Sequence, residues 1–175
     1  FHEFVKMFKL DDPTSGMTFH RTELKLWHDV LHFTGTIDAL LYNKHDDSYI
    51  IVDWKRCKDG VKLEGRSLKP VHQLAAGSRG RGLEAFMGFR NNKLNRYGCQ
   101  LTFYARLFEH MTGKRISALY IVVVDSVKVG RRDAMKLISI PTDKYSEAIR
   151  QAFEERAREM TSVCDSTLDG DHFDE

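Results

Sequence analysis

The sequence has little of what builds extracellular scaffolds or membrane spans. Its three cysteines, Cys57, Cys99 and Cys164, are an odd number, widely separated and without a CxxC pair. Neither a disulfide framework nor an iron–sulfur cluster is therefore predicted. No apolar run approaches the roughly 20 residues that cross a bilayer, and no signal-peptide pattern opens the chain. We expect a soluble protein with no membrane partner in a reducing intracellular compartment; nucleus, cytoplasm and mitochondrion are not distinguished.

The sequence also lacks a large excess of charge of one sign, but its charges are unevenly distributed. Lys and Arg outnumber Asp and Glu by 27 to 25 overall, whereas residues 55–96 hold eleven basic residues and three acids. The last eleven residues hold five acids and no Lys or Arg. This pattern predicts a basic surface for a polyanion and a solvated, disordered acidic tail at 165–175. The 175-residue length, with 42% apolar residues, predicts one compact domain at 1–164.

Hydrophobic periodicity predicts the order α, β, β, β, α, β, β, α. The predicted segments are a helix at 2–9, strands at 21–27, 33–42 and 49–55, a helix from Tyr97 to Met111 that Gly113 ends, strands at 116–124 and 136–140 around a turn at 129–132, and a last helix from Pro141. The first three strands read as an antiparallel meander, and the fourth as a strand buried on both faces. Residues 56–95 read as a long, partly irregular connection. We expect an α/β domain with a mixed central sheet flanked by helices.

Two strands carry the residues that suggest chemistry. Side chains two apart share a face of a strand, so Asp53 and Lys55 point the same way. A meander could bring Asp38 beside Asp53, and two facing carboxylates repel unless a cation lies between them. Hard oxygen ligands of this kind suit Mg²⁺ or Mn²⁺. The alternative is an ordinary surface pair of Asp38 with Lys55.

Three short motifs occur together in a recognisable order. They are Gly35-Thr36-Ile37-Asp38, Asp53-Trp54-Lys55 and Gln100-Leu-Thr-Phe-Tyr104. In order and spacing they resemble the PD-(D/E)xK nuclease superfamily, and within it the RecB-like exonuclease branch, over residues 23–124. The resemblance implies a restriction-endonuclease-like fold. Ile37 replaces the proline of the PD motif, and the four cysteines of cluster-bearing relatives are absent, which favours a nuclease without an iron–sulfur cluster.

The resemblance also implies roles for individual residues. Asp38 and Asp53 would bind Mg²⁺ or Mn²⁺ together with the backbone carbonyl of Trp54, and Lys55 would orient or activate the attacking water. Gln100 and Tyr104, an i, i+4 pair, would lie beside the site. Tyr104 fits a core position equally well.

An upstream histidine and a strand acid complete the implied site. His2 fits the family's metal-binding histidine, with His20, His28 and His32 as rivals. Glu23 resembles the acid that opens the family's first strand. It would touch a second metal or a water, or it is a solvated strand residue.

The basic stretch suggests a nucleic-acid contact. Its candidate DNA-binding residues are Arg66, Lys69, Arg79, Arg81, Arg90, Lys93 and Arg96. Phe86, Phe89 and Tyr97 could stack on bases or pack in the core. The alternative is a solvated charged face.

The function implied is metal-dependent hydrolysis of DNA phosphodiester bonds. We expect an exonuclease acting on single-stranded or frayed ends, with a larger replication or repair protein as one context for the domain. An endonuclease with the same chemistry and a catalytically silent DNA-binding domain are the alternatives.

Overall fold

The structure is a computed structural model that describes residues 2–57, 80–82, 84–125 and 134–168. Its helices are α1 (His2–Met7), α2 (Lys93–Thr112) and α3 (Ser146–Leu168), with one 3₁₀ turn at Glu84–Phe86. Its strands are β1 (Met17–His28), β2 (Phe33–Asn43), β3 (Ser48–Cys57), β4 (Ile116–Asp125) and β5 (Met135–Ile140). Within these residues no helix is long and apolar enough to cross a membrane.

The strands form one mixed sheet in the order β1-β2-β3-β4-β5. The pairs β1–β2, β2–β3 and β4–β5 are antiparallel, whereas β3 and β4 are parallel. Parallel neighbours need a long crossover, and the connection from β3 to β4 contains the 20-residue helix α2. The predicted α/β class, meander and mixed sheet are confirmed.

Apolar side chains cover both faces of the sheet. Leu26, Ile37 and Ile121 pack in one cluster with residues of α2 and α3, while Phe4 and Val52 pack in a second cluster under α1. β4 contributes to both clusters, which confirms the prediction that this strand is buried on both faces. The sheet therefore lies between helices on its two faces.

Helix α2 has defined caps at both ends. The Asn92 side chain accepts a hydrogen bond from the Asn95 amide at 2.8 Å, so the helix begins four residues before Tyr97, where the apolar stripe had indicated it. At the other end Gly113 has φ 66°, and its N–H donates to the Glu109 carbonyl. Glycine adopts this left-handed conformation without strain, so the predicted helix end is confirmed.

Several predicted boundaries are wrong. β1 begins at Met17 rather than 21, because cross-strand pairing with β2 extends past the alternating segment to Asn43. The last helix begins at Ser146 rather than Pro141. It continues to Leu168, so the first four residues of the predicted acidic tail are helical, while 169–175 lie outside the described residues. The predicted turn at 129–132 also lies outside them.

Candidate active site

Strands β2 and β3 separate at the two candidate acids. Their pairing runs from Asn43 and Ser48 to Ala39 and Val52. Beyond the last pair, the Trp54 amide donates to a side chain, Asp38 Oδ2, at 2.9 Å. A side-chain carboxylate thus takes the place of a backbone acceptor, and the two strands open where Asp38 and Asp53 stand.

The neighbouring strands are irregular at the same level. Ile37 packs in the cluster under α2 but Ala39 in the cluster under α1, although residues two apart on a regular strand share a face. β2 therefore changes face at Asp38. Opposite it on β1, between the pairs Thr22–Ala39 and Leu24–Ile37, lies Glu23 with φ 49°. A non-glycine residue in this left-handed region costs roughly 1–2 kcal/mol.

Asp53 is the most buried of the candidate site residues. It is 3% exposed, and its Oδ2 lies 2.6 Å from Lys55 Nζ. Among the described residues Lys55 is the partner of this oxygen, as an opposite charge and, by its distance, as a hydrogen-bond donor. Burial raises the pKa of Asp53; Lys55 opposes the rise, and the nearby charge of Asp38 adds to it.

Lys55 is held from two sides. Its Nζ lies against Asp53 on one side and 4.6 Å from the centre of the Tyr97 ring on the other. The Lys55 side chain is 20% exposed. Tyr97 is in the first turns of α2, so the helix that crosses from β3 to β4 also covers the site. The sequence had offered Tyr97 only as a base-stacking or core residue.

Gln100 and Tyr104 form a pair on α2. Gln100 Nε2 donates to the Tyr104 hydroxyl at 2.8 Å. The Tyr104 ring lies directly on Gly35, where a Cβ would come within 2.5 Å of Tyr104 Cε1. Gly35 is thus the position that lets α2 approach β2, three residues before Asp38. The structure shows that Gln100 and Tyr104 contact each other. Their catalytic role stays a prediction.

The other predicted residues are distributed around this centre. α1 contacts the site through Phe4, whose ring lies 4.6 Å from that of Trp54. His2 is exposed on the same helix, and its metal-binding role stays a prediction. Glu23 is exposed and lies inside β1, so it does not open the strand.

The rival histidines lie elsewhere. His20 packs edge-on against Tyr49 at 5.1 Å, and His28 stacks on His110 at 3.9 Å. His32 is exposed beyond the end of β1.

Four of the candidate DNA-binding residues are described, and all four are exposed. Arg81 and Arg90 form an antiparallel bridge, and Lys93 and Arg96 follow in the first turn of α2. Arg90 and Arg96 line a cavity of about 230 Å³ whose walls include Phe86 and Phe89. Phe89 also packs 5.0 Å from Tyr145, so it has a core role. Arg66, Lys69 and Arg79 lie outside the described residues.

The site fits a divalent cation. Two carboxylates lie close enough for their charges to interact, one of them is buried, and the Trp54 backbone between Asp53 and Lys55 borders them. Oxygen ligands of this kind suit Mg²⁺ and Mn²⁺. A mixed sheet that opens at two acids, with a lysine two residues after the second, defines an α/β nuclease domain.

The chain belongs to the PD-(D/E)XK nuclease superfamily, whose family model matches residues 3–172. The resemblance seen in the motifs is thereby confirmed at the level of the superfamily. A search of curated proteins found no match.

Two solved structures are similar to this chain at 13% identity. One is SSO0001, with TM-score 0.41 and coverage of 93% of this chain and 57% of its own. The other is named "Putative exonuclease" from Eubacterium rectale, with TM-score 0.43 and coverage of 94% of this chain and 53% of its own. The chain thus spans little more than half the length of either.

Proposed function

We propose that this domain is a divalent-metal-dependent deoxyribonuclease of the RecB-like type that degrades DNA from single-stranded or frayed ends. The observation that carries the proposal is the buried Asp53 carboxylate, paired with Lys55 and close enough to Asp38 for the two carboxylate charges to interact. Holding two like charges together costs free energy, and a cation between them removes that cost. The arrangement has no evident use in a domain that merely binds DNA.

The metal ligands would be Asp38, Asp53 and the Trp54 carbonyl, with His2 as a further candidate. When bound, Mg²⁺ or Mn²⁺ supplies charge neutralisation at the scissile phosphate and lowers the pKa of a coordinated water. Asp38 is already oriented by the Trp54 amide, so little reordering is needed to form the site.

Lys55 would position the attacking water. Its ammonium is confined between Asp53 and the Tyr97 ring, which restricts it to a small volume next to the carboxylates. A confined donor orients a nucleophile at little entropic cost during the reaction. Gln100, held by Tyr104, lies one helical turn after Tyr97 on α2 and would contact the substrate backbone.

The substrate strand would approach over the N-terminal end of α2. Arg81, Arg90, Lys93 and Arg96 are exposed there, and Tyr97 in the next helical turn touches Lys55. The apolar cavity lined by Phe86 and Phe89 would receive an unstacked base, and Arg90 and Arg96 at its edge would contact phosphates. Single strands suit this surface better than duplex, because their bases are free to stack.

The test of activity compares a linear single strand with a closed circle of the same sequence, in Mg²⁺, in Mn²⁺ and in EDTA. We expect the wild type to degrade only the linear strand, and only with metal. The Asp53→Asn variant should be inactive. Cleavage of the circle would show that the domain is an endonuclease. Binding without cleavage of either substrate would show that it is a DNA-binding domain without nuclease activity.

The test of the substrate path is charge reversal. Arg90→Glu should weaken single-strand binding and reduce the slope of log affinity against log salt by about 0.7 for each phosphate that the protein no longer neutralises, and by more if the new carboxylate repels a second phosphate. Arg158→Glu, on an exposed face of α3, is the matched control. Equal effects of the two variants would remove the α2 end from the path.

A further inference from the structure

A second group of metal-ligand side chains lies apart from the two acids of the active site. It consists of His28 at the end of β1, Asp29 immediately after it, and His110 near the end of α2. Their candidate ligand atoms all lie within 4.8 Å of one another. His28 and His110 are 82 positions apart along the chain (110 − 28), so the fold brings them together.

The distances are close to those of a metal centre. Asp29 Oδ1 lies 3.6 Å from His28 Nδ1 and 3.7 Å from His110 Nε2. Tetrahedral zinc with bonds of about 2.0–2.1 Å places its ligand atoms roughly 3.3–3.4 Å apart. These two separations therefore need to shrink by only a few tenths of an ångström to enclose an ion.

His28 has an unprotonated nitrogen on the side that faces Asp29. The Leu31 amide donates to His28 Nδ1 at 3.2 Å, so this nitrogen carries a lone pair rather than a proton, and metal binding exchanges that hydrogen bond for a bond to the ion. The ring also rests edge-on against Phe153 of α3, at 6.0 Å. Burial, and next the adjacent His110, lower the pKa of His28, which favours the neutral imidazole that a metal ion needs.

His110 and Asp29 are the two side chains of the cluster that can reorient to bind an ion. The two imidazole rings are stacked at 3.9 Å with planes 8° apart, whereas a metal must lie in the plane of each ring it binds. His110 must therefore turn on binding. Its side chain is 48% exposed and that of Asp29 77%, so both can reorient and a water can fill the fourth position.

We propose that His28, Asp29 and His110 bind a transition-metal ion, with Zn²⁺ as the preferred class, at a site separate from the nuclease centre. Two imidazoles and one carboxylate favour zinc-like ions over Mg²⁺, which takes oxygen ligands. The ion ties the end of β1 to the end of α2 and thereby stabilises the domain. This inference is independent of the proposed nuclease activity.

The two sites are too far apart to share an ion. Glu23 lies opposite Asp38 and five positions before His28 on β1, a span of about 16 Å at the rise of an extended strand. This span favours separate roles for His28 and for the acids of the active site.

The test measures Zn²⁺ binding by calorimetry on metal-free protein in the Asp53→Asn background, which disables the other site. We expect one Zn²⁺ per chain, and affinity at least about tenfold weaker after His110→Gln is added. His45→Gln, at an exposed histidine on the β2–β3 turn, is the matched control and should leave the affinity unchanged.

Two further readouts separate a built site from loose surface binding. Zn²⁺ at about a hundred times its Kd should raise the Tm by roughly 5–10 °C in the background protein and not after His110→Gln. Co²⁺ should give the visible absorption of four-coordinate cobalt. The proposal is overturned if Asp53→Asn protein binds no Zn²⁺, or if His110→Gln and His45→Gln change the affinity equally.

Discussion

Replacing Lys55 with methionine removes the cation that lies 2.6 Å from the Asp53 carboxylate and keeps most of the side-chain volume. In protein without divalent metal, no other residue among those the structure describes then places an opposite charge beside the buried carboxylate. We expect the folded state to be destabilised whenever Asp53 is ionised, because a charge removed from water without a partner is costly.

The expected cost is about 2–3 kcal/mol. Two unit charges at this distance attract by roughly 6 kcal/mol at an effective dielectric constant of about 20. Part of that attraction is offset by the desolvation of the ammonium, which the methionine variant no longer suffers. The residual 20% exposure of Lys55 lowers the value further, below the roughly 3–5 kcal/mol of fully buried pairs.

The pH dependence follows from the raised pKa of Asp53. A carboxyl whose pKa is higher in the folded state binds a proton that the unfolded chain has already lost, so stability falls as pH rises through the folded pKa. Without Lys55 the folded pKa rises further. The cost of Lys55→Met should therefore be full at pH 8 and shrink as the pH is lowered through the folded pKa.

Urea unfolding in EDTA between pH 5 and pH 8 measures both quantities. Lys25→Met is the matched control, because Lys25 is an exposed lysine on β1. The reasoning is refuted if the two variants have the same free energy of unfolding at pH 8, or if the Lys55→Met cost does not change with pH.

Two other substitutions test how the site is held together. Asp38→Ala should lower the free energy of unfolding by about 1–2 kcal/mol because the Trp54 amide loses its acceptor, whereas Asp38→Asn keeps an acceptor oxygen and should cost less. Both should abolish cleavage, and equal unfolding midpoints in urea for the two would contradict the assigned hydrogen bond. Gly35→Ala should cost about 1–3 kcal/mol, because the new methyl would come within 2.5 Å of the Tyr104 ring. Combining it with Tyr104→Ala should recover part of that cost, and strictly additive unfolding free energies would show that the contact is not responsible.

Local sequence patterns predicted most of the helices and strands of the fold. Runs of β-forming residues marked β2 and β3, the i, i+4 stripe marked α2, and Gly113 marked the end of that helix. Boundaries were less predictable, because Asn92 and the extension of β1 depend on capping and pairing rather than on hydrophobic pattern. The last helix extends into the predicted acidic tail at 165–175, because acidic residues alone do not end a helix.

The candidate site was visible in part. Spacing on β3 placed Asp53 and Lys55 on one face, and the structure brings them into contact. The opening of the sheet at Asp38 and the left-handed backbone of Glu23 were not predictable, because both arise from cross-strand register. The contact between Lys55 and Tyr97 joins residues 42 positions apart, which no local pattern reports.

The cluster of His28 and His110 could not be predicted from the sequence, because its two histidines also lie far apart along the chain. The two residues stand on different elements with 81 residues between them (110 − 28 − 1). Each histidine taken alone is more often an ordinary surface or core residue. The parallel rings at 3.9 Å are a tertiary feature of the β1–α2 contact.

The most direct test of the central claim is the rate at which an end-labelled single-stranded oligonucleotide is cleaved as Mn²⁺ is titrated. Wild type and Asp38→Asn are compared, since the substitution keeps the Trp54 hydrogen bond and removes only the charge. The account predicts no cleavage in EDTA, a rate that saturates with Mn²⁺ in the wild type, and loss of cleavage in the variant at every concentration. Cleavage in EDTA, or an unchanged titration curve in Asp38→Asn, would contradict it.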